Sequence, residues 1–216
     1  MKKILSYLWP QTTKFPSDHN GNLEVTLYNG KKMLDSKNAN YSFGSLQRIL
    51  EIGFNNIDFT NINSILLLGL GGGSAVNSLR KKFKYNKLIH AVELDSKVIN
   101  IAEKEFGVAS SDNLIIQKAD ALDFVANCKK EFDLVIVDIF IDNRVPNQFY
   151  STKFCENVLK LISSKGNLIF NLGLDKKSIN ERKKVAIYFK EKQNIHVNLL
   201  EKVMGTNDLL ILKTKT

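Results

Sequence analysis

Gly69, Gly71, Gly72 and Gly73 follow directly on the apolar run Ile65–Leu68 and lead into a helical stretch that starts at Ser74. Glycine removes Cβ atoms where a backbone must turn sharply or come close to a ligand. The unpaired N–H groups at the start of the helix then face that ligand. The next apolar run, Leu88–Leu94, carries Glu93 near its tip. An acid at that place can accept hydrogen bonds from both hydroxyls of a ribose. A strand, a glycine turn, a helix and an acid-tipped strand together make a site for a nucleoside-bearing cofactor. Its expected contacts are Gly69, Gly71, Gly72, Gly73, Ser74, Glu93 and Leu94. Ser74 departs from the strict dinucleotide fingerprint, which has glycine or alanine there.

Two more acids stand at strand ends. Asp120, in Lys118-Ala119-Asp120-Ala121, can accept from an adenine amino group or cap the helix that follows, with Ala121 beside the ligand. Asp138 closes the run Asp133–Asp138. Parallel strands deliver their C-terminal ends to one edge, where open α/β sheets bind ligands. Asp138 therefore belongs beside Gly71 and the reacting end of the cofactor, where it can hold an ammonium group or take a proton. The loop Ile139–Ser151 offers Asp142, Arg144 and Tyr150 for substrate contact. Asp138, Asp142 and Tyr150 are the candidate catalytic residues. Asp95 reads as a helix N-cap. His19, His90 and His196 have no partners at metal-ligand spacing, His90 reads as a core histidine, and no metal site is expected.

The elements that must hold these residues alternate. Strands are expected at Ile65–Gly69, Leu88–Leu94, Leu114–Lys118, Leu134–Val137, Gly166–Leu172, Ile195–Leu200 and Leu209–Lys213. Helices are expected at Ser42–Ile52, Ser74–Phe83, Lys97–Phe106, Ala121–Cys128, Ser151–Ile162 and Ser178–Gln193, the first capped by Ser42 with Phe43, Leu46, Ile49 and Leu50 on one face. The strand runs are continuously apolar, which means burial on both faces of a mostly parallel sheet. The last two are separated only by a short connection, so they must pair antiparallel. The fold class is α/β, a doubly wound, Rossmann-like seven-stranded sheet with an antiparallel last strand. Before it, residues 1–21 are a polar lead-in, and Leu23–Tyr28, Asn29-Gly30 and Lys31–Leu34 make a β-hairpin. Two units follow, the lead-in and hairpin at 1–40 and the α/β domain at 41–216.

The 216 residues are 44% hydrophobic and 25% charged, ordinary for a globular protein. The net charge is +9. Its basic residues, among them Arg80, Lys81, Lys82, Lys84, Lys176, Lys177, Arg182, Lys183 and Lys184, are scattered on expected solvent faces of helices, which disfavours a nucleic-acid partner. Cys128 and Cys155 make no disulfide framework and read as structural thiols. No apolar run approaches the roughly 20 residues that span a bilayer, and Met1–Trp9 is too short for a signal peptide. The chain reads as cytoplasmic, with a small-molecule acceptor as partner, no membrane contact, and room for a homodimer.

The order of motifs resembles the class I S-adenosylmethionine (AdoMet)-dependent methyltransferase fold, and within it the spermidine synthase-like branch. The resemblance spans roughly residues 22 to 173. It rests on the Asn29-Gly30 hairpin, the helix with Tyr41 and Gln47, L-G-L-G-G-G-S, A-V-E-L-D, K-A-D-A-L-D-F, D-L-V-I-V-D-I-F, and Pro146 with Phe149 to Phe154. It implies AdoMet or its decarboxylated form as cofactor, with Glu93 on the ribose and Asp120 near the adenine. Aminopropyltransferases of that branch carry an aspartate in the glycine turn, where this chain has Gly72. They also carry two acids after strand four. Here Asp138 occupies the first position and Ile141 the second, with Asp142 one residue late. The Asn/Asp-Pro-Pro-Tyr/Phe motif of similar amino-group methyltransferases is absent. The implied activity is methyl transfer to a small or medium-sized acceptor. The alternatives are aminopropyl transfer, a non-catalytic binding protein that retains the fold, and a nicotinamide-dependent oxidoreductase.

Overall fold

The structure is a computed structural model that describes residues 2–17, 19–36, 40–42 and 45–215. The chain opens with α1 (Lys2–Leu5) and a four-stranded sheet, β1 (Gln11–Ser17), β2 (Gly21–Tyr28), β3 (Lys31–Asp35) and β4 (Asn40–Ser42), antiparallel in that order. Asn29 (φ 49) and Gly30 (φ 71) are both left-handed, as a two-residue hairpin turn requires.

The lead-in expected over residues 1–21 is thus in part a strand. β1 reads Gln-Thr-Thr-Lys-Phe-Pro-Ser and shows no apolar alternation because it is an edge strand, a place that also tolerates Pro16. Leu23, Val25 and Leu34 of this sheet are buried against Val98 and Ile101. The sheet is therefore docked on the helix that follows the glycine-turn unit.

The rest of the chain runs α2 (Ser45–Phe54), β5 (Ser64–Leu68), α3 (Ser74–Lys81), β6 (Leu88–Glu93), α4 (Ser96–Phe106), β7 (Leu114–Lys118), α5 (Ala121–Asn127) and β8 (Phe132–Val137), then α6 (Thr152–Lys160), β9 (Ile162–Gly173), α7 (Ile179–Lys190), β10 (Ile195–Val203) and β11 (Asn207–Thr214). The large sheet has the order β10-β11-β9-β8-β5-β6-β7. Its pairs from β9 to β7 are parallel, and β11 is antiparallel to both of its neighbours.

Alternate residues of the central strands serve opposite faces. Leu66, Leu68, Val135 and Val137 pack with Phe154 and Val158 of α6 and Val185 and Phe189 of α7. Ile65, Leu67, Leu134 and Ile136 pack with Ile49, Leu50 and Phe54 of α2 and Ala75, Val76 and Leu79 of α3. That double burial is why these strands are continuously apolar.

Several boundaries move. Ser42 lies in β4, so it does not cap α2, which starts at Ser45; Phe43 lies outside the described residues. α6 stops at Lys160, and Ile162 instead opens β9, where it pairs with Phe132. Arg80 and Arg182 are not solvent-facing charges. The Arg80 guanidinium donates to the carbonyls of Tyr85 (2.6 Å), Lys87 (2.8 Å) and Asn113 (2.7 Å), tying α3 to the strands below it. Arg182 is buried, lies 3.1 Å from the Asp208 carboxylate and donates to the Asp175 carbonyl at 2.7 Å.

Among the described residues, no helix is long and apolar enough to cross a membrane. His90 is half-buried, shares a 3.0 Å hydrogen bond with Gln117 and packs edge-on to Phe124 and Phe132. Burial pushes its ring pKa down. Cys155 is buried, and burial pushes its thiol up to about 12, which keeps it protonated and unreactive.

Candidate functional site

A cavity opens where the strand ends meet. Gly69, Leu70, Gly71 and Ser74 come from the end of β5 and the start of α3. Glu93, Leu94, Asp95 and Val98 come from the β6–α4 junction, and Asp120 and Ala121 from the head of α5. Asp138 to Asp142, Gln148 and Phe149 follow β8, and His19 and Asn20 come from the β1–β2 turn.

The glycine turn sets the geometry. Gly69 has φ 94, and a Cβ there would lie 2.2 Å from the Asp138 carbonyl oxygen. The bare Gly69 backbone therefore allows the chain after β8 to close over the turn. Gly73, at φ 79, opens α3, and a Cβ on it would meet Val108 at 2.5 Å. Gly72 and Gly73 do not line the cavity. Gly73 serves the packing of the turn, while Gly69, Gly71 and Ser74 line the cavity.

Glu93 is held by its own turn. Its Oε2 accepts from the N–H groups of Leu70 (3.0 Å) and Gly71 (3.3 Å), and its Oε1 from that of Asp95 (3.0 Å). Burial raises its pKa, while these three N–H groups pull the other way. Asp95 is the N-cap of α4, accepting from the Lys97 N–H at 2.8 Å. Its other oxygen accepts from the Ser17 hydroxyl and from Asn20 Nδ2 (3.3 Å). Burial works to raise the Asp95 pKa, but these hydrogen bonds outweigh it and hold the carboxyl below its usual value. They also tie the β1–β2 turn to the large sheet, and that turn is what brings His19 and Asn20 over the cavity. Neither residue stood among the sequence candidates, although Asn20-Gly21 is a second Asn-Gly turn signal.

Asp120 accepts from the Leu122 N–H at 2.7 Å, capping α5 while also lining the cavity. Asp142 adopts φ 55 and accepts from the Ser36 hydroxyl at 2.6 Å, a second link to the N-terminal sheet.

Asp138 is in the cavity wall with protein packed about it. Burial pushes its carboxyl from 3.8 up to about 6, although Asn171 Nδ2 donates to its Oδ1 at 2.8 Å and pulls it down. Asn171, in the interior of β9, had no sequence signal that marked it.

The other two loop candidates lie elsewhere. Arg144 is 3.6 Å from the Asp175 carboxylate. Tyr150 is buried, does not line the cavity and donates its hydroxyl to the Leu172 carbonyl at 2.7 Å. Burial pushes its phenol up to about 12. It ties the short 3-10 helix Asn147–Tyr150 to β9. Tyr150→Phe should therefore cost about 1–2 kcal/mol in urea unfolding, because it leaves that carbonyl unpaired. Ligand-induced melting shifts should stay as in the parent; a loss of ligand response would return Tyr150 to the site.

The cavity is therefore walled by five carboxylates, Glu93, Asp95, Asp120, Asp138 and Asp142, between apolar side chains such as Leu94, Val98, Phe140 and Phe149. Among the described residues that line it there is no lysine or arginine.

The chain is similar to known proteins. The eEF1A lysine and N-terminal methyltransferase of Bos taurus is 30% identical over 122 residues, half of this chain and 17% of that protein. The polyamine aminopropyltransferase of Vibrio vulnificus is 31% identical over 110 residues, half of this chain and 36% of that protein. The chain thus spans well under two thirds of either relative. The crystal structure of human methyltransferase-like protein 13 in complex with SAH superposes with a TM-score of 0.66 at 20% identity, covering 81% of this chain and 83% of that one, which shows a shared fold. The family model of the spermine/spermidine synthase domain matches residues 49–199, from α2 through most of β10. With the glycine turn, the acid-tipped strands and the reversed last strand all inside or beside that span, the chain belongs to the spermine/spermidine synthase domain family.

Proposed function

We propose that this chain is a transferase that moves the methyl group of AdoMet to an amine nitrogen of a small or medium-sized acceptor. The observation that carries the reading is Asp138. It is a carboxyl with a pKa of about 6 in the cavity wall, and its backbone touches the glycine turn through Gly69. A nucleoside sulfonium suits the remaining walls. Glu93 and Asp120 offer acceptors for ribose and adenine, and Leu94, Ala121 and Phe149 offer apolar surface between them. Bound there, the sulfonium supplies an electrophilic methyl carbon. The chain's part is to align an acceptor for in-line attack and to receive its proton. Asp138 is mostly ionised near pH 7. It would attract the ammonium form of an amine and take one N–H proton, which frees the nitrogen lone pair to attack the methyl carbon with the neutral thioether as leaving group. Both relatives are named for amine chemistry, protein lysine and N-terminus in one case and polyamine in the other.

The second reading is aminopropyl transfer from decarboxylated AdoMet. It is favoured by the wall itself, since a donor carboxylate meets no lysine or arginine among the described lining residues. Gly72 weighs against it, because the turn lacks the aspartate of that branch.

A thermal-shift panel separates the two. AdoMet and S-adenosylhomocysteine at about 100 times their Kd should stabilise the protein by about 2.7 kcal/mol. Labelled AdoMet should then methylate putrescine, spermidine or a lysine peptide. A shift with decarboxylated AdoMet alone selects aminopropyl transfer. No shift with any of these compounds, nor with methylthioadenosine, overturns both readings, and a shift with NAD(P)H alone points to an oxidoreductase.

A further inference from the structure

Asn171 is a polar side chain at 1% exposure within β9, and it is not spent on the sheet. Its Oδ1 accepts from the Gly173 backbone N–H (3.3 Å) and from Asn207 Nδ2 (2.7 Å). A backbone N–H can only donate. The Asn171 carbonyl must therefore face Gly173 and Asn207, and its amino group must face Asp138, where it donates at 2.8 Å. Asn207 is itself buried at the start of β11. Next to it, Asp208 is anchored by Arg182 (3.1 Å) and by the Lys202 N–H (2.8 Å). The amide that meets Asp138 is thus fixed in one orientation by groups outside the cavity.

We infer that Asn171, clamped by Asn207 and the Gly173 N–H, is the positioning residue that aims the Asp138 carboxylate across the cavity and gives it a permanent hydrogen-bond donor. This rests on the proposed role of Asp138 as proton acceptor, but it concerns Asp138 in the free protein. The charged and titratable groups around the same cavity are Glu93, Asp95, Asp120, Asp142 and His19. None of them donates to Asp138 in the described hydrogen bonds, and burial alone disfavours the ionised carboxyl. A donor that cannot rotate away is what keeps it a base near neutral pH. It also leaves Oδ2 as the oxygen free to receive a proton.

The test is a carboxyl-carbon NMR titration of the free, aspartate-labelled protein, with Asp138→Asn to assign the resonance. In the parent one aspartate should titrate near 6. In Asn171→Leu, which keeps the volume and loses the donor, that midpoint should rise by about one pH unit. In Asn207→Ala the amide loses its outer clamp, and the midpoint should move the same way by less. Asn207→Ala also serves as the readout if Asn171→Leu does not fold. The acid limb of kcat with a methylated amine probe should follow the same midpoints. An unmoved midpoint in both folded variants overturns the inference. Shifted midpoints without AdoMet binding leave the clamp in place and overturn the methyl-transfer reading instead.

Discussion

Asp138→Asn should lower methyl transfer by about 10²–10⁴-fold, the usual worth of a positioned base, and at the same time make the protein more stable. The two effects share one proton. The carboxyl pKa is raised from 3.8 to about 6, chiefly by burial. The native state therefore binds this proton more tightly than the unfolded chain does. The stability it contributes is fully present below about pH 4 and is lost as the pH rises through about 6. Transfer has the opposite dependence, because it needs the carboxylate, and its rate should climb through about pH 6. The asparagine variant has no such titration. Its stability advantage over the parent should open between about pH 4 and 6 and then stay flat. Two pH units correspond to about 3 kcal/mol, and solvent in the cavity screens this to roughly 1–2 kcal/mol. Urea unfolding at several pH values, paired with initial rates, measures both. A variant that keeps full rate would remove Asp138 from the chemistry.

The largest loss of stability is expected from Gly69→Ala. The new methyl would sit 2.2 Å from the Asp138 carbonyl oxygen, 2.9 Å from its carbon and 3.4 Å from Ile139 Cα. All three are backbone atoms and cannot rotate aside. Gly69 N–H donates to Val92 O, and Asp138 N–H donates to Leu68 O, each at 2.9 Å, so β5, β6 and β8 are all fastened at this point. To admit the methyl, the end of β8 must move away from β5. With the strain of φ 94 added, the cost should be roughly 3 kcal/mol or more, a melting temperature lower by roughly 6–12 °C. Gly205→Ala isolates the strain. It has φ 74 with nothing within 4 Å of the added methyl, and should cost only about 1 kcal/mol. Equal losses for the two variants would show that closeness to Asp138 is not what glycine serves at position 69.

The parts legible in the sequence are those whose signal is local. Central strands buried on both faces must be continuous apolar runs, so the ends that carry Glu93, Asp120 and Asp138 could be placed from the sequence alone. The reversed β11 followed from the short connection after β10. β1 was not legible because an edge strand needs no apolar alternation. Asn171 was not legible for a different reason. It stands in a run that reads as core, and its partner Asn207 becomes a neighbour only through the insertion of β11 beside β9. Tyr150 looked like a loop residue facing substrate, but the buried Leu172 carbonyl claims its hydroxyl.

That insertion has a consequence for the order of events in folding. β11 follows β10 in the chain but lies between β10 and β9 in the sheet. β9 is made before β11, and until β11 joins it β9 presents a long, apolar, unpaired edge. Such an edge invites pairing with other chains. The same late strand brings Asn207, and with it the clamp on Asn171. A nascent chain that has formed its glycine turn and its acid-tipped strands but lacks β11 therefore lacks the amide clamp beside Asp138.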